Sequence, residues 1–358
     1  MSDGKGRRSR PFLRDALLLA LIGLIPLIGG ASQAPPPKKS TRAALLAKPV
    51  PSPRAVTINA SPITRFDASG AVEFGKLGFR GGLVLTSEDP DFGGLSGMVI
   101  DPDGAGLLAL TDRGYWVKGL IETKDGHPTG ITDAMMAPLV AANGRPFFRG
   151  RLRDTESVSR AGNGFTVGIE YANEIYFFPG KDPLTSRGRP LFTGEPLNSL
   201  GRNEGIEAQF APPGGKPAAL VAIAEVSPTD PDILPGFLFS SLESAKLAGT
   251  FSIIRMNDFA ATDATLSDDG MVYLLERRFD YFRGVAMRIR RFPLAEVKPG
   301  ATIRGETLIE AYRGASIDNM EAIGLHRESS GELVITLLSD NNFWALQRTL
   351  LLQFTVLE

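Results

Sequence analysis

Five times along this chain of 358 residues, a strand-like run opens on a small polar or acidic residue, turns at a glycine and returns to end on a carboxylate. The opening residues are Ser96, Glu156, Glu207, Asp263 and Glu321, and the closing ones are Asp112, Glu170, Glu225, Glu276 and Asp340. Successive openings lie 60, 51, 56 and 58 residues apart. Strand character recurring at that period predicts an all-β propeller. Each hairpin is followed by further β-rich sequence, such as Ala286–Phe292 and Thr349–Val356, so two hairpin strands plus two more make a four-stranded blade. Five repeats are read directly, and residues 56–90 leave room for a sixth blade. The fifth repeat lacks an outermost strand of its own. Residues 78–86 or 56–66 are placed to supply it, closing the ring with a strand from the N-terminal side.

The hairpin pattern is legible residue by residue. Met98 and Ile100 alternate ahead of Asp101-Pro102-Asp103-Gly104, then Leu108 and Leu110 lead into Asp112. The fourth repeat turns at Asp268-Asp269-Gly270 and runs through Val272 and Leu274 into Glu276. Glycine supplies the positive φ that such tight turns need. With 40 Gly and 26 Pro, the composition suits many short strands.

Antiparallel pairing puts the start of one hairpin strand and the end of the next at the same end. All ten marked positions therefore fall on one face of the disc, around the mouth of its channel. Nine of them are carboxylates, and so many in one mouth repel strongly unless neutralised. Arginines in or beside the motifs (Arg113, Arg202, Arg277, Arg278, Arg283) are one source of positive charge. A hard divalent cation is the other. Ca2+ takes six to eight oxygen ligands, and Asn203, Asn319, Asn341 and Asn342 stand ready to add theirs. The expected metal ligands are Glu156, Glu207, Asp263, Glu321, Asp112 and Asp340. Glu207, Glu321 and Glu276 are the expected catalytic carboxylates, and Arg113, Arg277 and Arg278 the expected binders of substrate oxyanions. For any single acid, a turn cap or an ion pair between blades is the competing reading.

The segments that carry these acids resemble the phytase-like domain family, whose members are often called esterase-like phytase proteins. The carrying motifs are Gly93-Gly94-Leu95-Ser96-Gly97, Ala109-Leu110-Thr111-Asp112-Arg113-Gly114 and Asn203-Glu204-Gly205-Ile206-Glu207-Ala208. Leu274-Leu275-Glu276-Arg277-Arg278-Phe279, Asp318-Asn319-Met320-Glu321-Ala322-Ile323 and Ser339-Asp340-Asn341-Asn342-Phe343 complete the set. The resemblance covers nearly everything from about residue 65 onward. It implies a secreted bacterial propeller with phosphoester or ester hydrolase activity. The chain lacks the Asp-rich motif, with Pro-Ala and a nearby Trp, that marks calcium-dependent propeller phytases.

Other chemistries find little support. A Ser-His-Asp triad needs a histidine base; His326 lies midway between Glu321 and the turn at Gly331, away from the acidic face, and His127 sits in a loop able to reach over the disc, where an ordinary loop histidine is the stronger reading. No Gly-x-Ser-x-Gly elbow occurs, and the chain has no cysteine for a disulfide or a thiolate site. A net charge of −1 excludes a basic nucleic-acid binder. Metal-assisted hydrolysis of a small anionic ester is the leading expectation. A non-catalytic propeller that binds a ligand or an envelope partner is the alternative.

The N-terminus reads as an export signal over residues 1–31. Lys5, Arg7, Arg8, Arg10 and Arg14 precede an apolar run from Ala16 to Ile28, followed by Gly29-Gly30-Ala31. Arg7-Arg8 ahead of Phe12-Leu13 is reminiscent of twin-arginine export, and an uncleaved anchor is the alternative. Residues 32–55, with Pro35-Pro36-Pro37, Pro49, Pro51 and Pro53, read as an extended linker to a domain spanning 56–358. The expected product is a periplasmic or secreted monomer that meets the membrane only through its N-terminal signal or anchor.

Overall fold

In a computed structural model, described over residues 52–201 and 204–357, the chain forms five small, mainly antiparallel sheets and no α-helix. The segments read as signal, most of the linker, and Arg202 and Asn203 lie outside the described residues. The innermost strands are Leu95–Ile100, Thr155–Ala161, Ile206–Phe210, Ala260–Leu266 and Asn319–Arg327, one per sheet. Each packs against the next, and the last packs against the first, so the sheets close into a five-bladed propeller.

Alternation drives this arrangement. Side chains of a strand point to opposite faces, and both faces of a blade meet a neighbour. The second strands Gly106–Thr111, Gly164–Ile169 and Leu220–Ala224 are accordingly buried at every residue. The apolar core divides into five clusters, one between each pair of adjacent blades. Trp116, Phe165 and Phe178 sit between blades 1 and 2, and Phe66, Met287, Ile335 and Phe354 between blades 4 and 5.

Residues 56–90 make no sixth blade. The strand Leu77–Thr86 pairs with Thr349–Val356 as the fourth strand of blade 5, and Asn59–Ile63 pairs outside it. Both segments expected to close the ring therefore do so, side by side. Arg54 and Ala55, at the end of the stretch read as linker, add a short strand to the outer edge of blade 1.

One irregularity recurs in all five blades and positions the site. At the mouth end of each innermost strand the register slips by one residue against the second strand, which is a β-bulge. The bulged residues are Ser96, Glu156, Glu207, Thr262 and Glu321.

Candidate functional site

A bulge re-aims a side chain that regular pleating would bury between sheets. Here it directs Glu156, Glu207 and Glu321 toward the common mouth. On each second strand, one residue past the pair that closes the bulge on its mouth side, stand Asp112, Glu170, Glu225, Arg277 and Asp340, the last two still paired with Ala260 and Asn319. Blade 4 thus departs from the sequence reading at both ends of its hairpin. Ala261 pairs with Glu276, so Thr262 occupies the bulge and Arg277 the closing place. Asp263 and Glu276 are each one residue out of register, and in a strand one residue reverses the face.

The consequences for those two acids are concrete. The Asp263 carboxylate accepts the backbone N–H of Ile323 in blade 5 at 2.9 Å and that of Ala264 at 2.8 Å. It staples two blades together, and burial pushes its pKa well above the usual carboxylate range against those two hydrogen bonds. Ser157, at the equivalent position of blade 2, likewise donates to Ile206 O of blade 3 at 2.9 Å. Glu276 is fully buried and clamped by Arg288 and Arg290, whose guanidinium nitrogens approach its oxygens at 2.6–3.0 Å. Neither acid faces the mouth. Asp263 is not placed to bind a metal there, and Glu276 is not placed to touch a substrate.

The remaining acids do converge. One carboxylate oxygen each from Glu170, Glu207 and Glu225 lies within 4.8 Å of the other two. A second group of the same tightness, Asp154, Glu156 and Glu170, shares Glu170 with the first. Glu207 is at the centre. It is 3% exposed, and its Oε1 has no hydrogen-bond partner among the described residues. Burial first, then the charges of Glu156, Glu170, Glu225 and Glu321, push its pKa well above the usual range. A carboxylate held so unfavourably is the mark of a site built for another charge.

Arg277 brings positive charge to these acids. Its Nη2 lies 3.6 Å from Glu225 Oε1 and its Nε 3.3 Å from Glu321 Oε1. It thereby separates the Glu170–Glu207–Glu225 group from a second acidic region. In that region Asn319 Nδ2 donates to Glu321 Oε1 at 2.6 Å. Asp340 is pushed up to about 8, chiefly by burial and then by Glu321 and Asp112, while the Asn342 N–H and Arg277 oppose the shift.

The other two expected oxyanion binders are held against aromatic rings. Arg113 is exposed and stacks on the Phe343 ring, its Cζ 3.2 Å from the centroid. Arg278 donates to Asn257 O at 3.0 Å and lies over Phe259. Both histidines lie at the far end of their strands from the mouth. His326 sits beside Glu328, and burial lowers its pKa. Asp154 was missed by the sequence reading because it precedes the strand. It takes positive φ, and its backbone joins Asp112 O to Glu170 N, which places it among the acids.

Three carboxylates around one point, with one buried oxygen lacking a partner, form an all-oxygen, hard donor set. That set suits Ca2+ better than zinc or copper. The groups centred on Glu170 are thus able to hold a metal ion.

A family model described as "Phytase-like: Esterase-like activity of phytase" matches residues 90–343. No curated protein matches the chain significantly. Among solved structures, the Myxococcus xanthus glutaminyl cyclase is similar at 10% identity and a TM-score of 0.39, over 75% of this chain and 93% of that one. The Cps50 (Swd1) β-propeller domain of Myceliophteria thermophila is similar at 7% identity and a TM-score of 0.35, over 84% and 100%. Likenesses this distant carry no argument about activity.

Proposed function

We propose that this chain, which belongs to the phytase-like family, is an exported hydrolase of phosphoesters or esters acting at the acidic mouth, with Ca2+ held by Glu170, Glu207 and Glu225. Asp154 and Glu156 extend the donor set around Glu170. The observation that carries the reading is Glu207: buried, repelled by four neighbouring carboxylates, and with an oxygen left unpartnered. No purely structural role accounts for that combination, since an ordinary buried acid is paired. The N-terminal run Ala16–Ile28 supports export.

Bound Ca2+ supplies positive charge that polarises a phosphoryl or acyl oxygen and orders water beside it. The chain's own groups set the rest. Glu207 keeps a proton in the metal-free protein and releases it to bind, so affinity rises with pH. Arg277 presents guanidinium N–H groups beside the cation site, fit for a substrate oxyanion. Asp340, titrating at about 8, is poised to accept a proton at mildly alkaline pH.

The test is turnover of p-nitrophenyl phosphate and p-nitrophenyl acetate with added Ca2+ or with EDTA, for the wild type and Glu207→Gln. Ca2+-dependent turnover that Glu207→Gln abolishes supports the proposal. Equal turnover in EDTA removes the metal from it. Ca2+ binding without turnover of either ester turns the reading to a ligand-binding propeller. The mass of the mature protein tests the export signal.

A further inference from the structure

Large apolar side chains crowd the mouth face, outside the acidic centre. The second and third strands of blade 4, Met271–Asp280 and Gly284–Pro293, run past their neighbours there. The first strand of the blade pairs no further than Arg277, and the fourth no further than Met287. Three further residue pairs, ending at Asp280 and Gly284, stand free as a hairpin tip about 10 Å tall. Its apolar residues are Phe279, Tyr281 and Phe282, which are 58%, 80% and 86% exposed. Tyr312 flanks the hairpin, and Trp344 and Leu346 project from the loop that follows Asp340 in blade 5. A soluble surface rarely leaves so many large apolar groups together on one side.

Two arginines stand on the same rim. Arg283 lies in the tip and Arg313 packs against its base at Gly284, both exposed. Asp280, in the tip, already accepts the backbone N–H groups of Phe282 and Arg283, and Glu310 accepts from the Tyr312 hydroxyl. Aromatic rings with arginines beside them match a bilayer interface, where amphipathic rings sit at headgroup depth and basic groups meet anionic lipid.

The course of the chain points the same way. Arg54–Ala55 pairs with Met136 and Met135 so that the polypeptide, followed backward from Ala55, heads for the mouth face. Arg54 is fixed there by ion pairs with Asp89 and Asp91 in the loop before Leu95. The 53 residues that precede it include the apolar run Ala16–Ile28.

We infer that the mouth face docks on an anionic lipid surface, with the Phe279–Arg283 tip entering the headgroup layer. The inference is independent of whether the mouth binds Ca2+. It gives the propeller a defined orientation, with the blade 4 tip toward lipid.

Tryptophan fluorescence tests it in the full-length protein. Of the two tryptophans, Trp116 is fully buried and Trp344 is half-exposed on the docking face. Vesicles of phosphatidylcholine with a quarter phosphatidylglycerol should shift Trp344 emission to the blue, and brominated lipid should quench it. Trp344→Phe should abolish both signals, and the double variant Tyr281→Ser/Phe282→Ser should lose the quenching. Arg283→Gln/Arg313→Gln should weaken the vesicle affinity read from it about thirty-fold. Membrane insertion of the N-terminal run by itself leaves Trp344 in water. Absent quenching on anionic vesicles therefore overturns the inference even if the protein co-sediments with them. So does equal quenching on pure phosphatidylcholine, or quenching that survives the tip variant. If a soluble acidic peptide, and not vesicles, produces the blue shift, the face binds a protein and the lipid assignment fails.

Discussion

Replacing Glu276 with glutamine separates the two roles open to this acid. In the structure its carboxylate accepts from Nε and Nη2 of both Arg288 and Arg290, at 2.7, 3.0, 2.7 and 2.6 Å. The pairing follows from strand register: Arg288 stands directly opposite Glu276 on the third strand, and Arg290 lies two residues along on the same face. Glu310 adds one further carboxylate oxygen, 3.4 Å from Arg288 Nη1. Glutamine keeps one acceptor and turns the other into a donor, aimed at guanidinium groups that themselves only donate. Two buried cations are then left without their central anion. Removing one partner from a buried ion network costs about 3–5 kcal/mol. Roughly 300 folded residues at about 2.1 cal/mol/K each give an unfolding entropy near 0.63 kcal/mol/K. A loss of about 4 kcal/mol therefore lowers Tm by about 6 °C. Calorimetry reads the shift, and Ca2+ affinity per folded molecule should not change. The apolar replacement Glu276→Leu/Arg288→Met/Arg290→Met should recover most of the loss. A Glu276→Gln protein with unaltered Tm but impaired Ca2+ binding or turnover would refute the structural assignment and return this acid to the chemistry.

Two other perturbations probe the mouth, and a third probes a contact between blades. Asp340 is raised to about 8, so in the metal-free protein the folded state holds a proton that the unfolded chain releases near 3.8. Stability in EDTA should fall as pH rises from about 5 to 7.5, and Asp340→Asn should flatten the slope by about 1.4 kcal/mol per pH unit, read by urea denaturation at three pH values. Glu207→Gln removes a repelled acid, so it should raise the metal-free Tm. It should also erase the gain of about 2.7 kcal/mol that the wild type draws from Ca2+ at a hundred times Kd. A Ca2+-dependent Tm shift that survives the substitution places the ion elsewhere. Asp263→Ala strips an acceptor from the amides of Ile323 and Ala264 and should cost about 2–3 kcal/mol, while Ca2+ affinity stays unchanged. A lower affinity at unaltered stability would make Asp263 a ligand.

The propeller was legible because its signal is redundant. Every hairpin carries its own alternation and turn glycine, and five at one period leave few alternatives. Even the closing strand could be placed, because blade 5 lacked a fourth strand and the N-terminal segment had no other partner. The placement of the acids was legible to within one residue, and in a sheet one residue is the difference between mouth and core. Glu207 and Glu156 fall at the mouth as expected because in their hairpins the marked acid is also the bulged residue. Blade 4 misled because its acids, Asp263 and Glu276, sit where the other repeats have Gly97 or Ala208 and Thr111 or Ala224. No pattern of residue types reveals that shift, since a bulge is a property of pairing between strands and leaves no mark in either strand alone. The pairing of Glu276 with Arg288 and Arg290 was hidden for a related reason: its partners come from the third strand, 12 and 14 residues on.

The strand Leu77–Thr86 finds its partner in Thr349–Val356, more than 260 residues later. Such distant pairing makes assembly slow and late, because nearly the whole polypeptide must be synthesised before the circle can be sealed. Until then the chain carries two raw sheet edges, one at each end of an open arc, each ready to pair with a foreign strand. A ribosome that stalls before codon 349 therefore releases a sticky arc in place of a finished ring, and losing that single late strand would do the same to a mature molecule.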